Sequence, residues 1–149
     1  VLHPFVIRNL VNGNFKAGMV QYCYRLYNPH SPQTSLSSLS KLVHLSASNS
    51  SEGLQDYYGS AKGSITGKGV VLSAPLDTKD FTRCTIIRIF YEDNDSAPIY
   101  SIIDDVEVNI ASDEINYTDT GSSGISTLTQ EEFNALTSYA FICNSITTV

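Results

Sequence analysis

The run Arg83–Tyr91 (RCTIIRIFY) constrains the fold of this chain more than any other stretch. Rich in β-branched and aromatic residues, it fits the pleat of a strand better than a helix turn. Its two alternating rows are Cys84, Ile86, Arg88, Phe90 and Thr85, Ile87, Ile89, Tyr91. Both rows are largely apolar, so the strand must be central and covered on both sides. Met19–Tyr27 (MVQYCYRLY) alternates more openly, with Val20, Tyr22, Tyr24 and Leu26 sharing one side as a core-facing row. Two prolines in Asn28-Pro29-His30-Ser31-Pro32 end it in a loop.

Shorter strand signals follow at Leu42–Ser46, Gly69–Ala74 and Ile99–Ile103. Val106–Ile110 reads as another, with Val106, Val108 and Ile110 inward, and Tyr117-Thr118-Asp119-Thr120-Gly121 closes the region at a glycine turn. The stretch Ala47–Lys68, rich in Ser, Gly and Tyr, reads as a loop or insertion. Thr129-Gln130-Glu131-Glu132 has the spacing of a capping box, and Phe133 and Leu136 give the following short helix one apolar face. Ala140–Ile146 reads as a final strand. Strands at short intervals, punctuated by turns, predict a mostly β protein: an antiparallel β-sandwich or a barrel, with one short helix near the C-terminus. The 149 residues suit a single domain excerpted from a longer chain. Residues 13–121 are expected to form the β-sandwich and 122–149 a linker, the short helix and a terminal strand.

Only 16% of residues are charged, so surface polarity must come from Ser, Thr, Asn and Tyr. A net charge of −6 with scattered Lys and Arg leaves no basic patch for nucleic acid. No apolar run approaches the length of a membrane-spanning helix. Cys23, Cys84 and Cys143 lie too far apart for a zinc motif and are odd in number, so buried free thiols are expected. Reduced thiols in turn point to synthesis in a reducing compartment.

Motifs that carry chemistry are sparse. Gly63-Ser64-Ile65-Thr66-Gly67-Lys68-Gly69 resembles a phosphate loop, but its spacing is one short and a strand, not a helix, follows. A turn is expected there. An EF-hand loop starting at Asp93 would need glycine where Pro98 stands; solvated turn acids are the simpler reading of Asp93 and Asp95. A looser calcium site would have to draw on Asp93, Asp95, Asp104 or Asp105. His3, His30 and His44 are far apart and belong to no catalytic frame. No set of catalytic groups can be assembled, so the chain is read as a non-enzyme with no catalytic, metal or cofactor site. Among the nine tyrosines, Tyr22, Tyr24 and Tyr27 read as core. Tyr57-Tyr58, in the Ser/Gly stretch, is the candidate platform for a glycan-binding or adhesin module, with the acidic turn 92–95 as a second candidate surface.

One ordered set of segments carries a resemblance. It runs Ala17–Asn28 (AGMVQYCYRLYN), Ser35–Ser40 (SLSSLS), Leu42–Leu45, Thr66–Val70, Leu76–Thr78, Arg83–Tyr91 and Tyr117-Thr118-Asp119-Thr120-Gly121. Together these resemble the fibronectin type III-like domains of the tail stabilisation, or muzzle, proteins of crAss-like bacteriophages, over about residues 13 to 136. The resemblance implies a fibronectin type III-like sandwich and a non-enzymatic structural part of a phage virion tail. It implies partners among other tail and virion proteins, multimeric in the assembled tail, with synthesis in the cytoplasm of the bacterial host. No nucleic acid, membrane or cofactor is implied, and the isolated domain is expected to be monomeric. The family offers no catalytic residues to carry over.

Overall fold

The computed structural model describes residues 2–30, 34–46, 64–77, 80–93, 95–109 and 111–136. Its strands are β1 (Val6–Asn12), β2 (Gly18–Tyr27), β3 (Thr34–Leu36), β4 (Val43–Leu45), β5 (Lys68–Pro75), β6 (Arg83–Tyr91), β7 (Ile99–Glu107), β8 (Glu114–Asp119) and β9 (Ser126–Leu128). A helix, α1, is described over residues 130–136. Every strand pairing is antiparallel. The smaller sheet has the order β1-β5-β8, and the larger β3-β2-β6-β7-β9 with β4 also on β2.

The Arg83–Tyr91 run is the central strand of the large sheet, paired along its length with β2 and β7. Its even-numbered residues face the smaller sheet. Val20, Tyr22, Tyr24 and Leu26 of β2 and Cys84 and Ile86 of β6 pack there against Val70, Leu72 and Ala74 of β5 and Ile115 of β8. Tyr22, Leu26, Leu72 and Ile86 have no exposed surface. Burial of side chains this large contributes about 1.5–3 kcal/mol each, which is why the alternating rows dictate the sandwich. The odd-numbered row of β6 faces outward and is also covered: Ile87 and Ile89 join Cys23 and Phe133 in a second cluster beneath α1. The sandwich and the two-sided cover expected from the sequence are both present.

The β3–β4 edge has a construction of its own. Between β3 and β4 the chain leaves the ladder, yet Ser37 N donates to Tyr24 O and Ser40 N to Tyr22 O. In return Tyr24 N donates to Ser37 Oγ and Tyr22 N to Ser40 Oγ. Two serines of the Ser35–Ser40 segment thus satisfy the backbone groups of Tyr22 and Tyr24 on β2 without a continuous edge strand, a form of edge protection.

The structure departs from the sequence reading at several places. Strand β1 precedes residue 13 and lies within the smaller sheet, and β9 follows residue 121 and pairs with β7, so the sheets extend beyond the span 13–121 at both ends. Ile99–Ile103 and Val106–Ile110 are not two strands. β7 runs unbroken from Ile99 to Glu107 because a bulge absorbs one residue: Ile86 pairs with Asp104 and Ile87 with Ile102, leaving Ile103 as the extra, buried residue. That insertion shifts the period, and Asp104-Asp105 looks like a break only until their partners are seen. Val108 is buried just past the strand, and Ile110 lies outside the described residues. The proposed terminal strand, Cys143 and Tyr57-Tyr58 also lie outside them.

Candidate functional site

Arg83 and Arg88 are five residues apart on β6, so they project from opposite faces of the large sheet, and Tyr22 and Tyr27 do the same on β2. Each face consequently holds a Tyr–Arg–Asp triad. On the inner face Arg88 Nη1 donates to both Asp119 oxygens, at 2.9 and 3.1 Å, and the Tyr22 hydroxyl donates to Asp119 Oδ2 at 2.7 Å. Gly121 N adds a bond to Asp119 Oδ1, and Arg88 Nη2 donates to Ser122 O. The guanidinium lies over the Phe15 ring. Asp119 belongs to β8 of the smaller sheet, whereas Tyr22 and Arg88 belong to the larger, so this triad ties one sheet to the other through the core. Burial and the neighbouring Asp119 carboxylate push the Tyr22 phenol well above its ordinary range. A second, lighter tie runs from the Tyr117 hydroxyl of β8 to Asp104 Oδ2 of β7 at 3.0 Å.

On the outer face Arg83 donates to Asp105 Oδ1 through Nε at 3.0 Å and Nη2 at 2.7 Å. Tyr27 and Thr85 donate to Asp105 Oδ2 at 2.5 and 3.1 Å. Partial burial works against the Asp105 charge, but these hydrogen bonds from Tyr27, Arg83 and Thr85 outweigh it and hold the carboxyl below its usual range. Tyr27, expected in the core with Tyr22 and Tyr24, is instead half-buried here, because an odd position on β2 faces outward. Arg25, in register with Thr85, stacks on the Tyr27 ring and donates to Thr85 Oγ1 at 3.2 Å.

Beyond this polar end the outer face turns apolar, and α1 covers it. The capping box sets the helix start: Glu132 N donates to Thr129 Oγ1 at 3.1 Å and Thr129 N to Glu132 Oε1 at 3.0 Å. That start directs Phe133 and Leu136 onto the sheet, where Phe133 stacks on Tyr100 with ring centroids 4.5 Å apart. Between helix and sheet, at the junction of the polar and apolar ends, lies a half-open cleft of about 280 Å³. Its walls are mainly Ile87, Ile102, Leu128 and Leu136, with Arg25 and Glu132 as its charged groups.

The residues singled out from the sequence fall as follows. Asp93 Oδ1 accepts from Asp95 N and Ser96 N, an ordinary side-chain-capped turn. Asp104 and Asp105, the other members of the looser calcium set, are engaged elsewhere, by Tyr117 and by the outer triad. No three metal-ligating side chains come together among the described residues. His3 pairs with Asp77 at the surface, a partnership that their separation in sequence concealed. Part of the Gly63–Gly69 run is described: Thr66 Oγ1 donates to Phe15 O, Gly67 takes a positive φ of 70°, and β5 follows, so it is a turn. Cys23 and Cys84 are free, buried thiols, and burial pushes each up to about 12.

Sequence reasoning missed the inner triad. Its one signal was Arg88 standing in an otherwise apolar inward row, because a charge in such a row requires a buried partner.

A family model described as Crassvirus muzzle protein matches residues 2–148. No curated protein matches the chain.

Proposed function

The chain belongs to the Crassvirus muzzle protein family, and from that premise we propose that it is a non-enzymatic structural component of the phage virion tail, acting through protein–protein assembly. The observation that carries the reading is the family match over 2–148 on a chain whose sheets are tied together by the Arg88–Asp119–Tyr22 triad. Charged groups used as ties between strands serve fixed geometry rather than turnover. The outer face of the large sheet, part sealed by α1 and part open at the cleft, is the surface through which it meets neighbours. The protein is multimeric within the tail and monomeric alone, and it is made in the host cytoplasm, where the free thiols Cys23 and Cys84 stay reduced.

Purified virions of the source phage, probed with antibody to this chain and viewed by electron microscopy, are expected to be labelled at the tail. Absence of the chain from virions by mass spectrometry, or labelling confined to the capsid, overturns the proposal. Light scattering on the isolated chain is expected to give one protomer.

A further inference from the structure

The edges of the two sheets are not alike. β1 is interrupted by a register shift between Ile7 and Asn9, and Asn9 Oδ1 accepts from Leu10 N beside it. β3, β4 and β9 are only three residues long. Where β7 runs past β9, Asp105 N donates to Asp104 Oδ1 and Asp105 O accepts from Arg83 Nη2. Bulges, short strands and groups already occupied are the ordinary protections of an exposed edge. β8, by contrast, ends the smaller sheet with six residues in unbroken register with β5.

Leu76 N donates to Asp113 O, and that alternation carried along the register makes Ala74–Ile115, Leu72–Tyr117 and Val70–Asp119 the hydrogen-bonded pairs. Glu114, Asn116 and Thr118 therefore turn their backbone groups away from β5. Ser112 Oγ serves Glu114, accepting from its N at 3.3 Å and donating to its O at 2.9 Å. The backbone N–H and C=O of Asn116 and Thr118 have no partner among the described residues, and both residues are exposed. Beside this edge, a half-open groove of about 280 Å³ lies between the end of β7 and the start of β8. Val106, Val108 and Ile115 are its apolar wall and Glu107 and Glu114 its charged groups, with no Lys or Arg among the described residues that line it. Neither carboxylate has a cationic partner among the described residues.

We propose that the free edge of β8 receives a fourth strand of the smaller sheet, an extended and basic segment of a neighbouring virion protein. Running antiparallel, like every pairing described in this fold, the segment exchanges two hydrogen bonds with Asn116 and two with Thr118. Its residue facing Ile115 points inward, so an aliphatic side chain there enters the groove against Val106 and Val108. The next residue faces exposed Glu114, and a Lys or Arg there meets that carboxylate across the strands, with Glu107 in the same groove. Two carboxylates without a cation favour a basic segment over an acidic one. This edge adds a second contact surface to the outer face of the large sheet. That the partner is a virion protein rests on the proposed function; the strand addition and its charge do not.

The test uses the full chain and the probe acetyl-Thr-Val-Thr-Val-Lys-amide, whose second Thr faces Asn116 and whose Lys faces Glu114. The readouts are hydrogen exchange and the amide resonances of Asn116 and Thr118. In the chain alone both amides are expected to exchange far faster than those of Ile115 and Tyr117. The probe, at about millimolar, the range expected of so short a strand, is expected to slow both and shift their resonances. N-methylation at the second Thr removes its donor to Asn116 O and is expected to weaken binding about tenfold. N-methylation at the second Val, whose N–H points away from β8, is expected to leave binding nearly unchanged. Replacing the Lys by Glu is expected to weaken it about fivefold, and a chain carrying Glu107→Gln with Glu114→Gln to lose most of that preference.

Slow exchange at Asn116 and Thr118 in the chain alone, whatever its concentration, overturns the proposal, because the chain then covers its own edge. Protection that grows with chain concentration overturns it in favour of a second copy. No response to the probe, or equal loss from the two N-methyl placements, overturns strand addition. A Lys preference undiminished in the double variant overturns the basic segment, since the attraction is then that of the net charge. Virion labelling tests the functional reading separately, so either can fail without the other.

Discussion

Each face of the large sheet joins a Tyr of β2 and an Arg of β6 to an Asp, from β8 of the smaller sheet on the inner side and from β7 on the outer, yet the triads differ in what they do. Arg88–Asp119–Tyr22 is enclosed: the Arg88 side chain is 10% exposed and Asp119 2%. Arg83–Asp105–Tyr27 sits at the rim, with side chains 34% and 27% exposed for Arg83 and Asp105. Water competes for every partner in the outer triad and screens its charges, so it contributes little to net stability. The inner triad has no such fallback, because losing one member strands a charge in the core. The inner triad also bridges two sheets, whereas the outer one joins neighbouring strands of one sheet that the ladder already holds. Location, not chemistry, makes one a fastener and the other a trim.

The largest effect separating them should come from Asp119. Asp119→Ala leaves Arg88 buried and unpaired, and the expected loss is about 3–5 kcal/mol in urea unfolding. The double change Asp119→Leu with Arg88→Met is expected to recover much of that loss, since apolar groups of similar volume need no partner. If the single and double variants are equally unstable, the comparison fails, because the damage is then packing rather than stranded charge. Next comes Gly121→Ala. Gly121 has φ of 86°, and an added Cβ would lie 2.7 Å from Phe15 N, beneath the ring of the inner triad. Backbone strain of this kind costs about 1–3 kcal/mol, with the clash adding to it. Thermal unfolding measures the loss, and a Gly121→Ala variant as stable as the native chain would detach the turn from the triad.

Paired tyrosine variants sharpen the contrast further. Tyr22→Phe removes one donor from a carboxylate that retains Arg88 and Gly121 N, so about 1 kcal/mol is expected. Tyr27→Phe removes its counterpart at the rim, where water replaces the hydroxyl, and a few tenths of a kcal/mol is expected. Chemical unfolding of the two side by side should therefore rank Tyr22 above Tyr27; the reverse order contradicts the argument.

Much of this fold was legible because alternation reports burial directly. The rows of β2 and β6 gave the core, and the spacing Thr129 to Glu132 gave the helix start. What stayed hidden were features whose cause lies in another strand. β1 is an edge strand with a shift between Ile7 and Asn9, and its largely exposed residues show no clean period. The bulge at Ile103 merges two apparent strands into one, and nothing in Ile102-Ile103-Asp104 announces it. Asp119 sat in a segment whose familiarity was plain but whose chemical task was not. Pairing with β5 sets Asp119 beside Val70, and only the packing of that sheet on the larger one brings it to Arg88. The cleft at Arg25 was invisible for the same reason, since it requires α1 to lie across the sheet.

The smallest expected effect concerns acid. Asp105 is held below the usual carboxylate range in the folded chain, while its unfolded value is about 3.9. A group with a depressed folded value contributes stability above its unfolded value and loses it as pH falls through the folded one. Folding stability should therefore decline below about pH 4 in part through Asp105, and Asp105→Asn should remove that part of the acid slope. Screening at this half-exposed rim limits the Asp105 contribution to less than about 1 kcal/mol. Urea midpoints of the native and Asp105→Asn chains, followed from neutral pH to about pH 3, measure it as the convergence of the two curves. An offset between the curves that persists unchanged into acid would show that the Asp105 charge contributes nothing and that Asn acts through packing alone. A convergence much larger than this would instead make the outer triad as consequential as the inner one, and erase the distinction that burial draws between them.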